Sequence, residues 1–214
     1  MAERSIRSAS GPLSPWAAAL GTAVDELHPR IRDYVQAIPL GSVGRGTGVF
    51  EVVGTPRRML WPVFWVLARK GVVAPVWLHD VPFEIANQPQ PGADPRLAAQ
   101  RTFALPGGLW TMRDAVSFKG GALTDDLGSA RRYRVALHAW AEGGALRLRS
   151  SGVTVRVGRM HLPLPRLLAP VVHLREEFDE ALGRQRVHLR LTHPVIGLLY
   201  EYRGTFEYRI EEQG

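Results

Sequence analysis

The 214-residue sequence predicts a mainly β fold, in which antiparallel strands form a curled sheet or close into a barrel, with two helices in the N-terminal half. Three observations carry this. From Arg101 to Ile210, apolar and polar residues alternate with the period of two that half-buried strands show. The runs are interrupted at hairpin length by Pro106-Gly107-Gly108, Gly120-Gly121, Glu142-Gly143-Gly144 and Leu182-Gly183. No helical period lies between them, so consecutive strands are expected to pair as a meander closing toward a calycin-like barrel.

In chain order, the first element is a helix over residues 14–36. Ser14 offers a cap oxygen and Pro15 suits the first turn, while Leu20, Val24, Leu27, Ile31 and Val35 recur every three or four residues. Pro29 divides the run. The stretch Gly41-Ser42-Val43-Gly44-Arg45-Gly46-Thr47-Gly48 follows. It lacks the spacing of a dinucleotide or phosphate loop, and residues 49–53 after it read as a strand, so its glycines are expected at a bend or a sheet edge.

A second helix is expected over residues 56–70, with Thr55 as cap, Pro56 at the first position and Gly71 as the stop. Its centre, Met59 to Ala68, is wholly apolar and lies between Arg57-Arg58 and Arg69-Lys70. Half the roughly 20 residues needed to cross a hydrocarbon core, it is no membrane span. Two readings remain: a core helix whose Trp61 and Trp65 pack over one opening of the barrel, or an interfacial helix with both indoles at headgroup depth.

Strands are expected at 81–86, 98–105, 110–118, 132–141, 145–150, 153–157, 171–178, 185–191 and 199–210. Residues 88–95 form a proline-rich loop, and Pro163, Pro165 and Pro170 mark a second irregular segment suited to covering a barrel mouth. Residues 1–40 are thus a helical segment packed on the barrel, and 41–214 a β domain with the apolar helix inserted.

The composition is that of a globular chain, 45% hydrophobic and 22% charged. The net charge of +7 comes almost entirely from arginine, since Lys70 and Lys119 are the only lysines. The arginines are scattered without a binding motif, so no nucleic-acid partner is expected. With no cysteine, disulfides, thiolate metal sites and a thiol nucleophile are excluded. Residues 1–10 precede no apolar core of signal-peptide length, which points to the cytoplasm, or to a membrane-peripheral position if the apolar helix docks.

Charges on apolar strand faces locate a candidate site. Asp114 shares parity with Met112, Val116 and Phe118; Glu176 with Val172, Leu174 and Phe178; and Arg101 with Phe103 and Leu105. A lone interior carboxylate costs several kcal/mol, so an Arg and two acids predict a buried polar cluster within mutual ion-pair reach. Tyr200, Tyr202 and Tyr208 share one face, and a hydroxyl such as that of Tyr202 completes the network. A cluster that only fixes strand register is the structural alternative. His161 joins the ligand-binding set because it stands beside the proline-rich segment. His28 and His193, each before a proline, are read as turn residues. No histidine spacing fits zinc, no metal or cofactor is expected, and Ser117, Ser150 and Ser151 lie in no nucleophile elbow.

The run His193-Pro194-Val195-Ile196-Gly197-Leu198-Leu199-Tyr200-Glu201-Tyr202-Arg203-Gly204-Thr205-Phe206 resembles an uncharacterised bacterial family. Asp80-Val81-Pro82-Phe83, Arg101-Thr102-Phe103, Asp126-Leu127-Gly128 and Glu176 extend the likeness from about Val43 onward. The resemblance is to a domain of unknown function found alone or fused behind a saccharopine-dehydrogenase-like nucleotide-binding domain, which implies an oxidoreductase partner but no nicotinamide chemistry in this chain. The leading expectation is binding of an apolar or amphipathic small molecule in the barrel. One alternative is an enzyme such as an isomerase or cyclase, with Asp114 or Glu176 as acid or base and Arg101 stabilising negative charge. The other is a peripheral membrane or partner-binding module using Trp61 and Trp65.

Overall fold

The computed structural model describes residues 13–212. Its strands are β1 (Ser42–Gly54), β2 (Trp77–Pro89), β3 (Arg96–Leu105), β4 (Gly108–Lys119), β5 (Ala122–Leu127), β6 (Tyr133–Glu142), β7 (Ala145–Val157), β8 (Met160–Pro163), β9 (Val171–Asp179), β10 (Arg184–His193) and β11 (Gly197–Glu212). Each pairs antiparallel with its chain neighbour, except that β7 reaches past the short β8 to β9. Pairing of β1 with β11 then closes a ten-stranded barrel, the mainly β architecture expected. β8 stays outside the ring as a flap on the far half of β7.

The N-terminal helical run is divided as Pro29 requires, into α1 (Pro15–Leu20), a 3-10 turn (Gly21–Glu26) and α2 (Pro29–Val35). The Ser14 hydroxyl oxygen accepts from the Ala17 N–H at 3.0 Å and donates to the Val35 carbonyl, so one cap fastens both helices. These helices cover the barrel end that carries the β6–β7 and β9–β10 turns. There Leu27 bridges to Gly144, and the His28 ring stacks on Phe178 at 4.8 Å and meets Glu180 at 2.9 Å. His28 and His193, expected in turns, instead cap α2 and end β10, each accepting through Nδ1 from the backbone N–H two residues on.

The glycine-rich stretch is neither bend nor edge: it is the first half of β1, hydrogen-bonded on both sides to β2 and β11. Gly44 and Gly46 face inward, where a Cβ would stand 1.6 Å from the Tyr208 hydroxyl and 2.6 Å from Ile85. The missing side chains leave room for Tyr208 and Ile85, and the Tyr208 ring in turn meets Tyr34 of α2 edge-on at 4.8 Å. β5 and β8 were not foreseen from the alternation, being too short, and residues 145–157 form one strand where a break at Gly152 was expected.

The apolar helix also departs from expectation. A 3-10 turn (Arg58–Leu60) leads into α3 (Trp61–Ala68), and Leu60 holds the cap position without a side-chain bond. Thr55 instead accepts from the Arg57 N–H at 3.1 Å, closing a turn ahead of the helix. Trp61 and Trp65 do not pack over the opening: they are 39% and 53% exposed, and Phe64 at 5% is the residue α3 buries. A helix apolar on every side, laid across a barrel mouth, buries one stripe and turns the rest outward. Trp110 Nε1–H fixes it to the Ala68 carbonyl at 3.1 Å. No helix among the described residues is long and apolar enough to cross a membrane.

Gly54 is where β1 leaves the barrel for this connection. Its φ is +127°, and a Cβ would meet the Val76 carbonyl oxygen at 1.8 Å. Gly54→Ala is expected to cost about 1–3 kcal/mol, read as a lower urea midpoint at unchanged slope.

Candidate functional site

Between its two helix-covered ends the barrel holds a cavity of about 270 Å³. Phe64 and Leu67 of α3 and Val72 and Val73 after it line one end, together with Leu164 and Pro170 from the proline-rich segment. Trp16 of α1 and Tyr34 of α2 line it from the other end, and the walls are mostly Val and Leu from the strands. The wall faces inward because strand alternation puts Met112, Val116, Leu146 and Leu148 on the buried side.

Into this apolar space project an arginine and three acids. Arg101 on β3, Asp114 on β4 and Asp125 on β5 come from three adjacent strands, while Glu176 comes from β9 and Tyr202 from β11. Arg101 and Asp114 form a direct ion pair, their side chains only 16% and 4% exposed. Glu176 is not within ion-pair distance of Arg101, contrary to the expected three-way contact. Its Oε2, and Oδ1 of Asp125, are buried with no hydrogen-bond partner among the described residues.

The electrostatics follow from burial with too few cations. Burial works against the Arg101 charge, but Asp114 and then the neighbouring tyrosines hold it, and the guanidinium stays protonated. Burial lifts the Asp114 carboxyl while Arg101, in direct contact, draws it back. Asp125 is raised well above the usual carboxylate range, by burial first and then by the Asp114 charge. Glu176 is pushed up to about 7 by burial, against the opposing effects of Arg101 and the Tyr34 hydroxyl. The cluster therefore holds one ion pair, a Glu176 carboxyl poised near 7 and an Asp125 carboxyl shifted in the same direction.

Four of the sequence-predicted residues, Arg101, Asp114, Glu176 and Tyr202, line the same cavity. His161 does not; it is exposed on β8 opposite Arg156. Trp61 and Trp65 are likewise absent from the lining, which α3 supplies through Phe64 and Leu67. Asp125 was missed, although Leu123, Asp125 and Leu127 share the parity that revealed Asp114. The adjacent Asp126 masks it: that carboxylate sits on the outer face, held by Arg134 at 2.7 and 3.0 Å, so two acids in succession break the alternation. Tyr34 gave no signal because its place depends on where α2 enters the barrel. No three His, Asp or Glu side chains among the described residues converge as a metal site.

The family model described as "Domain of unknown function (DUF4166)" matches residues 27–206, and the chain belongs to that family. A comparison with curated proteins returns no match.

Proposed function

We propose that the barrel binds one apolar or amphipathic small molecule, its apolar body in the cavity and its polar end against the Arg101–Asp114–Asp125–Glu176 cluster. The observation that carries this reading is the pair of unpartnered carboxyl oxygens, Glu176 Oε2 and Asp125 Oδ1, in a cluster facing an otherwise apolar cavity. Buried polar atoms without partners are uncommon in native proteins, and a ligand group is one way to satisfy them. A cavity of about 150 Å³ lined by apolar side chains holds benzene, so by proportion this one suits a molecule of roughly a dozen non-hydrogen atoms. Three carboxyls against one guanidinium favour a neutral or cationic polar end over an anionic one.

The test is calorimetric titration with 1-decanol, decylamine and decanoate at pH 8. Decanol and decylamine are expected to bind, and decanoate at least tenfold more weakly; Leu148→Phe, which fills the cavity, is expected to weaken all binding. Absence of binding by all three would sink the reading, and preference for decanoate would reverse its electrostatics.

The Glu176 pKa near 7 supports a second reading, acid/base catalysis in the same cavity. Glu176→Gln separates the two: it would abolish turnover of a substrate and leave binding of that substrate measurable, whereas a pure binding protein has no turnover to lose.

A further inference from the structure

The two ends of the barrel differ in chemistry. At the α3 end the strands are joined by the β1–β2 connection, the β3–β4, β5–β6 and β10–β11 turns, and the segment from β7 to β9 that includes β8. Hydrogen bonds tie these together: Ser129 N–H to the Lys70 carbonyl, Arg57 Nε–H to the Leu198 carbonyl, and Arg156 N–H to the Arg132 carbonyl. Fourteen of the nineteen exposed large apolar side chains among the described residues belong to this end. Met59, Val63, Trp65 and Val66 protrude from the α3 connection, and Leu167 and Leu168, 73% and 63% exposed, from the segment before β9.

The same five connections contain no Asp or Glu and eight basic residues. Arg57, Arg58, Arg69 and Lys70 flank α3. Arg131 and Arg132 lie on the β5–β6 turn, and Arg159 and Arg166 beyond β7. None of the eight forms an ion pair among the described residues, and Arg69 lies over the Trp65 ring at 3.6 Å. The opposite end carries Asp25, Glu26, Asp33, Asp94 and Glu180. A protruding apolar surface with indoles, ringed by unpaired cations and free of acids, complements a layer that is apolar inside and anionic at its surface.

We infer that the α3 end docks on an anionic lipid bilayer, with Trp61 and Trp65 at headgroup depth and the eight basic residues on the lipid phosphates. This docking surface is also the cavity's roof, since Phe64, Leu67, Leu164 and Pro170 line the cavity from the same segments. The docking does not require that the cavity hold a ligand.

The test uses the purified full chain and vesicles of phosphatidylcholine, alone or with about a third phosphatidylglycerol. Co-flotation is expected with the anionic vesicles and not the neutral ones, together with quenching of tryptophan fluorescence by brominated lipid. Each basic residue at an anionic surface is worth about fivefold, so Arg58→Glu, Arg69→Glu, Arg131→Glu and Arg159→Glu combined should weaken binding at least a hundredfold. Arg30→Glu and Arg209→Glu at the opposite end should leave it within about twofold. Trp61→Ala with Trp65→Ala should abolish the brominated-lipid quenching, and thermal unfolding confirms that each variant folds. No flotation of the wild-type chain, as expected if the face meets an acidic protein or a nucleic acid, would overturn the inference. So would equal losses from the two charge-reversal sets, or absence of quenching in wild-type chain that floats.

Discussion

Arg101→Met is expected to destabilise the protein by about 3–5 kcal/mol, the cost of leaving the buried Asp114 carboxylate without its counter-ion. Asp114 is 4% exposed at its side chain and has no second cation in contact among the described residues, so the orphaned charge is poorly solvated. The expected response is protonation of Asp114, which would make the variant's stability fall steeply as pH rises past the carboxylate range. The double replacement Arg101→Met with Asp114→Leu should recover most of the loss, because a well-packed apolar pair can replace a buried ion pair at little or no cost. Urea unfolding of the wild type, both single variants and the double variant closes the cycle. A single-variant loss below about 1 kcal/mol would show that water reaches the pair and that the cluster is not dry.

The second large effect is a pH dependence. Glu176 has an ordinary value of 4.5 and stands near 7 in the folded barrel. Its pKa is raised on folding, so between those values the folded state keeps a proton that the unfolded chain has released. The stabilisation is fully present below pH 4.5, declines as pH rises, and is gone above about 7. A displacement of this size corresponds to about 3 kcal/mol. Glu176→Gln should therefore flatten the slope of stability against pH across that window and leave the variant more stable than wild type at pH 8. Part of the slope should remain, because Asp125 is raised in the same direction. Urea midpoints at pH 5 and pH 8 for both proteins check this; parallel profiles would mean that Glu176 ionises like an exposed acid.

Much of this was legible in the sequence because it rests on parity. Asp114 and Glu176 occupy inward positions on long strands, and a period of two fixes the face of every residue once one apolar neighbour is known. The same rule holds for Asp125, but β5 has only six residues and its Asp126 is buried on the outer face by ion pairs, so the alternation there is masked. What parity cannot convey is distance across the barrel. Glu176 shares the cavity with Arg101 yet does not reach it, since the two stand on strands separated by several neighbours in the ring. Nor does a uniformly apolar helix announce which side it will bury, and that choice decides whether Trp61 and Trp65 belong to the protein or to its surroundings. The glycines of β1 misled for the opposite reason: their value lies in the space they leave for Tyr208 and Ile85, which no local pattern records.

The forking of β7 gives the barrel wall a seam. Near the opposite end β7 is laced to β9 from Leu146 to Arg149, but its far half turns to β8, and β9 goes on without a backbone ladder on that side. The gap is spanned by the Leu164 N–H to the Val153 carbonyl, the Val172 N–H to Ser150 Oγ, and a small apolar cluster of Val135, Val153 and Ala169. Parting any other pair of staves means breaking a run of backbone hydrogen bonds together, whereas here the wall can part like cloth along an unstitched hem. The wall is thus weakest beside the α3 end, where it can part without the rest of the barrel unfolding.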